Sequence, residues 1–296
     1  MKILACDTSN RACSCCLWAD GRAVDKRFRN DGLTHSQTFM PQVHDLMEKN
    51  SVSYEELDIL ACTVGPGSFT GIRIGVAAVK TMAMVLDKPA VPVSSLEAMA
   101  YPFRDEDALV VALIDCRNHR AWAAGYYMGE LVIPEMADDA DEIRSKCVEW
   151  RDKNYPGKKI LLIGNGAKLF LPDAKSTVDA SNAVDAKSTD AAAAVGRMTS
   201  DLEPVEYREG WDEILPESVA AVAELVAARA LSGDSQSGGA DPSDGANREE
   251  ADPLLQKFPA AALMPVYLSK TQAERNRSAE GKETKEIPIR YYSTND

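Results

Sequence analysis

The sequence predicts an α/β protein built from two structurally repeated halves, each of the form βββαβα. Three observations carry that prediction. Residues 59–96 hold an apolar strand, the glycine-rich turn Gly65-Pro66-Gly67-Ser68-Phe69-Thr70-Gly71, a long apolar helix and a second strand, which together make one tightly punctuated βαβ unit. Asp7, Asn10 and Gly21 recur as Asp115, Asn118 and Gly129 at one constant offset of 108 residues. Each of the three falls at the same point of a strand–turn–hairpin–strand pattern. Helices alternating with a mixed sheet, written twice, define an α/β architecture.

The elements follow in order. Ile3–Cys6 reads as a strand, Asp7-Thr8-Ser9-Asn10 as a turn and Cys13–Trp18 as a second strand. Asp20-Gly21 supplies a two-residue hairpin turn, and Arg22–Phe28 returns. Residues 35–50 carry Phe39, Met40, Val43, Leu46 and Met47 at helical spacing, with Pro41 near the start, where proline is tolerated. In the helix Ile72–Leu86 the only polar side chains are Arg73, Lys80 and Thr81. At about 100° per residue they cluster in roughly a quarter to a third of the circumference. The remaining apolar arc is far wider than the roughly 100° stripe that one sheet covers. Such a helix needs cover on two sides, from another layer of this chain or from another protein. Ala90–Ser95 is the strand that follows.

The second half repeats the pattern with an apolar strand to Ile114, the turn Asp115–Asn118, the aromatic strand Ala121–Tyr127, Gly129-Glu130 and a strand through Leu131–Ile133. A charged helix over 138–154 follows, then the strand Lys159–Ile163 running into Gly164-Asn165-Gly166. Residues 173–195 are mostly Ala, Asp, Ser and Lys, with Asp-Ala-Lys-Ser-Thr written twice, and have too little apolar surface to offset chain entropy. A helix spans Pro216–Leu231, with proline as its start signal and Gly233 as its stop. Residues 233–252 form a second polar loop, and the chain re-enters the fold at Ala260–Leu268. The expected domains are therefore 1–104, then 105–270 with insertions near 173–195 and 233–252, then a polar tail over 271–296.

Composition narrows the function classes. The 296 residues carry a formal charge of −13 with a sequence pI of about 4.8, so no basic footprint of the kind nucleic-acid binding rests on is visible. Much of the acidity lies in the linkers, which leaves room for a local basic patch. No stretch approaches 18 uninterrupted apolar residues, and no membrane span is expected. The seven cysteines are an odd number, scattered among apolar residues. Cys13 and Cys16 form a C-x-x-C, but three places apart on a strand they point to opposite faces. Reduced, buried thiols in a cytoplasmic protein are the expectation.

The chemistry-bearing motifs each have a structural alternative. Gly65–Gly71 invites a phosphate hypothesis, because glycine backbone at a helix N-terminus can hold an anion. Ile72 stands where a Walker loop needs Lys, and Thr70 stands where G-x-G-x-x-G needs its third glycine. Ser68 lacks the flanks of a nucleophile elbow. The alternative is a sharp strand-to-helix turn in which Gly71 and Gly75 pack closely. His35 and His44 lie about 180° apart on one helix and cannot share an ion; His119 lies in the turn after Asp115. Asp7 and Asp115 close matching strands, where they either hold magnesium or accept hydrogen bonds from turn amides.

These residues also carry a family resemblance. His35-Ser36 with Met40-Pro41, the run Gly65–Gly75, Val93-Ser94-Ser95-Leu96, Asp7-Thr8-Ser9 and Pro265–Leu268 resemble the bacterial TsaB (YeaZ) proteins over roughly 1–170 and 216–270. The resemblance implies the actin-like ATPase superfold. It also implies a non-catalytic partner of a TsaD-type catalytic subunit, acting with a TsaE-type ATPase. A separate enzyme makes threonylcarbamoyl-adenylate, and the assembly installs threonylcarbamoyladenosine beside the anticodon of tRNAs reading codons that begin with A. In the family the N-terminal half docks through helices, which supplies cover for the apolar helix. TsaD-type enzymes carry a histidine pair after the strand corresponding to Val91–Ser94, and here Ser94–Ala100 contains no histidine. Nucleotide-hydrolysing members use a glycine-rich second phosphate loop, and here Asp115-Cys116-Arg117-Asn118-His119-Arg120 would crowd a phosphate.

The expected role is a cytoplasmic scaffold or activator that touches tRNA only indirectly, without cofactor or metal. Its docking residues would be Phe39, Met40, Val43 and Met47 together with Ile72, Arg73, Val76, Val79, Lys80 and Ala83. The same surface would support a homodimer of the isolated chain. Asp7, Thr8, Ser9, Gly65, Gly67 and Asp115 are expected to hold a nucleotide or to structure turns. The runner-up is an ATP-dependent phosphotransferase of the same superfold, using Asp7 and Asp115 around magnesium. A peptidase reading has no nucleophile–base pair to support it.

Overall fold

The computed structural model describes residues 1–32, 34–170, 205–207, 216–231 and 258–266. These fall into two compact units, Met1–Ala98 with the stretch from Leu215 onward, and Met99–Ile214. The expected boundary at 104 lies six residues late, and the expected assignment of the 216–231 helix to the second half differs from the structure for a packing reason given below. The insertions at 173–195 and 233–252, and the tail 271–296, lie outside the described residues.

The first unit holds a five-stranded sheet in the order β3-β2-β1-β4-β5. Its strands are β1 (Lys2–Asp7), β2 (Cys13–Ala19), β3 (Arg22–Arg29), β4 (Ile59–Thr63) and β5 (Ala90–Val93). β1 to β3 form an antiparallel meander, and β4 and β5 add in parallel. Asp20 (φ 53°) and Gly21 (φ 81°) both adopt positive φ, the geometry of a type I′ hairpin, so the turn closes as the dipeptide predicts. Helices α1 (His35–Lys49) and α2 (Phe69–Leu86) cover one face over a core of Leu4, Cys6, Leu17, Leu60, Cys62, Phe39, Val43, Leu46, Ile72, Val76 and Val79. Every residue of β2 is buried, which requires cover on the other face too. That cover is the helix Pro216–Leu231, which packs on β1 to β4. Its Val219, Val222, Ala223 and Val226 are fully buried, and Arg229 pairs with Glu97 at 2.6 Å. Its apolar face is thus spent on the first sheet, and it belongs with the first unit.

The seven cysteines are free. Cys6, Cys13, Cys15 and Cys62 lie in the core under α1 and α2, while Cys16 alternates to the opposite face. Burial pushes the Cys13 and Cys16 thiols up to about 12, so both stay protonated and unreactive at neutral pH.

The second unit repeats the first. Strands β6 (Ala108–Asp115), β7 (Arg120–Tyr127), β8 (Glu130–Asp139), β9 (Lys159–Ile163) and β10 (Val205–Tyr207) take the order β10-β9-β6-β7-β8. This is the first sheet's order read from the other edge. Helix α4 (Ala140–Asn154) buries Ile143 and Cys147 against Leu109, Val111, Leu113, Ile133, Ile160 and Leu162. A short helix α3 (Ser95–Ala100) spans the point where the units divide; the Pro216–Leu231 helix is α5. The 108-residue offset holds for the strand-ending Asp7 and Asp115 and for the hairpin glycines Gly21 and Gly129, whose φ values are 81° and 80°. It fails at Asn10 and Asn118. The β6–β7 turn is one residue shorter, because Asp115 pairs with Ala121 whereas Asp7 pairs with Ser14. The chain makes up the difference by placing Arg117, Asn118 and His119 at φ 70°, 55° and 58°.

By length and composition α2 could cross a membrane, and it is the one such helix among the described residues. Here its Gly71, Ile72, Gly75, Val76, Val79 and Ala83 are buried, as in a core helix.

Candidate functional site

The turn after β1 and the glycine-rich turn after β4 are built against each other. Ser9 O accepts from Ser68 N at 2.6 Å, and Thr8 Oγ1 donates to Gly71 O at 2.8 Å. Ser68 caps α2 by accepting from Gly71 N at 3.2 Å. A Cβ on Gly67 would stand 2.1 Å from Ser9 O, and one on Gly71 would stand 2.1 Å from Thr8 O. Gly67 also adopts φ 154° and Gly65 φ 119°. A Cβ on Gly65 would meet Val266 O at 2.6 Å, and Val266 N closes the same contact by donating to Val64 O at 2.7 Å. The glycines therefore serve close backbone approach within the protein, the structural alternative raised by the sequence.

Asp7 organises this corner from within. Its Oδ1 accepts from Ser9 N at 3.2 Å and Ser9 Oγ at 2.7 Å, and from Thr63 Oγ1. Its Oδ2 is buried with no hydrogen-bond partner among the described residues. Burial raises the Asp7 pKa above the usual carboxylate value, against the three hydrogen bonds that lower it. Asp115, its counterpart, is exposed and accepts from Arg117 N at 2.7 Å. Both aspartates thus accept from an amide two residues on, as turn residues do. Asp7, Thr8, Ser9, Gly65 and Gly67 come together in the first unit; Asp115 performs the same turn function in the second.

The docking residues read from the sequence require correction. Phe39, Val43, Met47, Ile72, Val76, Val79 and Ala83 are all at most 3% exposed and belong to the first unit's own core. A wide apolar arc shows that a helix needs cover on two sides without saying which side faces inward. The row turned to the sheet is Ile72-Val76-Val79-Ala83. Lys80 is not a surface contact either: its Nζ donates to Ala261 O at 2.7 Å and Leu263 O at 3.3 Å. It thereby holds the returning segment 258–266, whose Ala260 and Leu263 are buried in the same core. Met40 and Arg73 do face outward, and Arg73 stacks over the Phe69 ring at 3.8 Å.

What α2 leaves in the open is an outward face that mixes apolar side chains with Thr70, Arg73 and Thr81. Phe69, Ala77, Met84 and Val85 are exposed, with Ile74, Ala78 and Met82 half-buried beside them. Val85 is 79% and Met84 59% exposed. The sequence carried this signal in the breadth of the apolar arc. The return of the chain at Ala260–Leu268 was also legible, but its anchor on Lys80 was not, since the contact spans 181 and 183 positions.

The fold is thus one sheet written twice, three antiparallel strands extended by two parallel ones. Two solved structures of Pseudomonas aeruginosa proteins share it. One, described as an uncharacterized protein with similarity to peptidase YEAZ, superposes with a TM-score of 0.58 at 25% identity, over 90% of this chain and 99% of that one. YeaZ from the same organism gives 0.57 at 22% identity, with the same coverage, and speaks for the fold. The family model described as TsaD, tRNA N6-adenosine threonylcarbamoyltransferase, matches residues 32–231. The tRNA threonylcarbamoyladenosine biosynthesis protein TsaB of Escherichia coli K12 is 38% identical over 168 residues, 56% of this chain and 72% of that protein. Its Bacillus subtilis counterpart is 31% identical over 170 residues, 57% and 73% respectively. The chain belongs to the TsaB (YeaZ) family.

Proposed function

We propose that this protein takes part in making threonylcarbamoyladenosine in tRNA as a non-catalytic cytoplasmic subunit, pairing with a TsaD-type catalytic subunit and working with a TsaE-type ATPase. The observation that carries the reading is the outward face of α2, in a chain whose relatives are named for this biosynthesis. Phe69, Ala77, Met84 and Val85 put apolar side chains on that face, interleaved with Thr70, Arg73 and Thr81. Exposed apolar surface of this kind marks an interaction site. The isolated chain uses the same face to self-associate.

Two features favour a non-catalytic role over an ATP-dependent phosphotransferase. Backbone groups of the first turn are engaged by the glycine-rich turn, with Ser9 O accepting from Ser68 N and Thr8 tied to Gly71. The second turn carries Arg117, Asn118, His119 and Arg120 where a phosphate loop needs bare glycine backbone.

The test reconstitutes modification of unmodified tRNA with a TsaD-type subunit, a TsaE-type ATPase and a source of threonylcarbamoyl-adenylate, with and without this chain. Omission should stop turnover. The pair Ala77→Arg with Met84→Asp should abolish both association and turnover while the thermal unfolding midpoint stays within a few degrees. Robust modification by this chain alone, or ATP turnover by it lost on Asp7→Asn and Asp115→Asn, would favour the phosphotransferase.

A further inference from the structure

The β6–β7 turn does something its first-unit counterpart does not. It aims an imidazole at the start of α4. His119 Nε2 stands 3.9 Å from Asp141 Oδ2, beyond hydrogen-bond reach. That nitrogen is closed off from solvent and has no hydrogen-bond partner among the described residues. Asp139, the N-cap of α4, completes the group: one ligand atom from each of His119, Asp139 and Asp141 lies within 4.8 Å of the others. Asp139 Oδ1 accepts from Asp141 N at 3.0 Å, which leaves its second oxygen. The arrangement is held by backbone, since His119 O accepts from Ala140 N at 3.0 Å and Arg120 pairs with Asp139 in the β7–β8 ladder.

We propose that His119, Asp139 and Asp141 bind one divalent first-row transition ion, zinc by ligand type, which pins the β6–β7 turn to the N-terminus of α4. The reasoning is chemical. Imidazole nitrogen and carboxylate oxygen sit about 2.0–2.2 Å from zinc, so two such ligands stand about 3.3 Å apart around a tetrahedral ion and at most about 4.3 Å. A gap of 3.9 Å with an unpartnered nitrogen on one side therefore closes on an ion with a small side-chain adjustment. An imidazole with two carboxylates is a mixed N/O set, which suits zinc, whereas magnesium and calcium take all-oxygen shells. Two carboxylates balance the ion's charge, and the helix N-terminus opposes the ion by only about half a unit. Three protein ligands leave a fourth position to water. The histidine comes from the turn that departs from the internal repeat, so the first unit has no equivalent.

The experiment is calorimetric titration of the full chain with zinc chloride, with magnesium chloride in a parallel run. His119→Asn is the primary variant, because asparagine tolerates the left-handed backbone of that position. Asp141→Asn is the second. Controls are His44→Ala, since His44 and Glu48 form an exposed histidine–carboxylate pair at 3.9 Å, and Cys116→Ser, within the same turn. Expected are one zinc site tighter than about 100 µM, no comparable magnesium binding, and at least tenfold weaker zinc binding in both primary variants. Both controls should bind as the parent does. Amide exchange should slow on zinc addition at Cys116–Ala140, a readout that a charge effect alone would not localise. The proposal is overturned by absence of a zinc site of that strength, by unchanged binding in His119→Asn, or by loss of binding in either control.

Discussion

Thr8 and Gly71 are joined twice: the Thr8 hydroxyl donates to Gly71 O at 2.8 Å, and Thr8 O lies 2.1 Å from where a Cβ on Gly71 would stand. The contact links the first turn of the chain to the first turn of α2, and backbone on both sides leaves neither free to retreat. Gly71→Ala should therefore cost about 3 kcal/mol, the upper end of the usual range for overpacking, because backbone on both sides cannot yield. Urea unfolding measures it, with Gly157→Asn as comparison. Gly157 has positive φ (77°) but open space around it, so that change should cost less than about 1 kcal/mol. A Gly71→Ala protein as stable as the parent would mean that the two turns can separate.

Asp7 gives a pH-dependent prediction. Burial raises its folded pKa above the unfolded value, so the folded protein holds a proton that the unfolded chain releases. The stability this contributes is present in full below the unfolded pKa and is lost as pH rises through the folded one. Asp7→Asn removes that loss while keeping an acceptor for Ser9 and Thr63. The variant should match or exceed the parent at pH 7, with its advantage shrinking toward pH 4. Denaturant midpoints from pH 4 to 8 would show it; a variant that loses ground to the parent as pH rises contradicts the assignment.

Lys80 makes a more local prediction. Its ammonium caps Ala261 and Leu263 carbonyls, so Lys80→Met removes charge-assisted bonds but keeps most of the packing. Each such bond is worth about 1.5–3 kcal/mol when intact, less where water replaces it. Hydrogen exchange should accelerate at Ala260–Val266 and stay unchanged at β1 and β4. Uniform acceleration across the unit would mean that the segment is part of its global stability.

Much of the fold was legible because it is written in local pattern. Asp20-Gly21, Pro216 and the two apolar helices of the first unit each mark an element without help from the rest of the chain. The repeat was legible at Asp115 and Gly129, where strand end and hairpin impose the same residue types. It misled at Asn118, because deleting one residue changes a turn's backbone without changing its composition. Helix α5 was found, but its destination was not: an apolar helix does not name the sheet that buries it. The docking face failed for the same reason. Val43 and Val85 look alike in sequence, and only packing separates them, at 0% and 79% exposure.

That separation is a prediction in itself. Val43 sits in the core beside Phe39, Leu46 and Cys13, where a carboxylate has no partner and its burial costs several kcal/mol. Val43→Asp should unfold the first unit or lower its thermal midpoint by well over ten degrees. Val85→Asp changes a side chain that already meets solvent, and surface substitutions of that kind shift stability by about 0.5 kcal/mol or less. Circular dichroism melts give the first comparison. Sedimentation of each variant, alone and with a TsaD-type subunit, gives the second. Val85→Asp should keep the parent's melt while losing association, because a charge in an apolar interface must be desolvated without compensation. If Val85→Asp associates as the parent does, the outward face of α2 is not the docking surface. If Val43→Asp folds normally, the inward row is not the core.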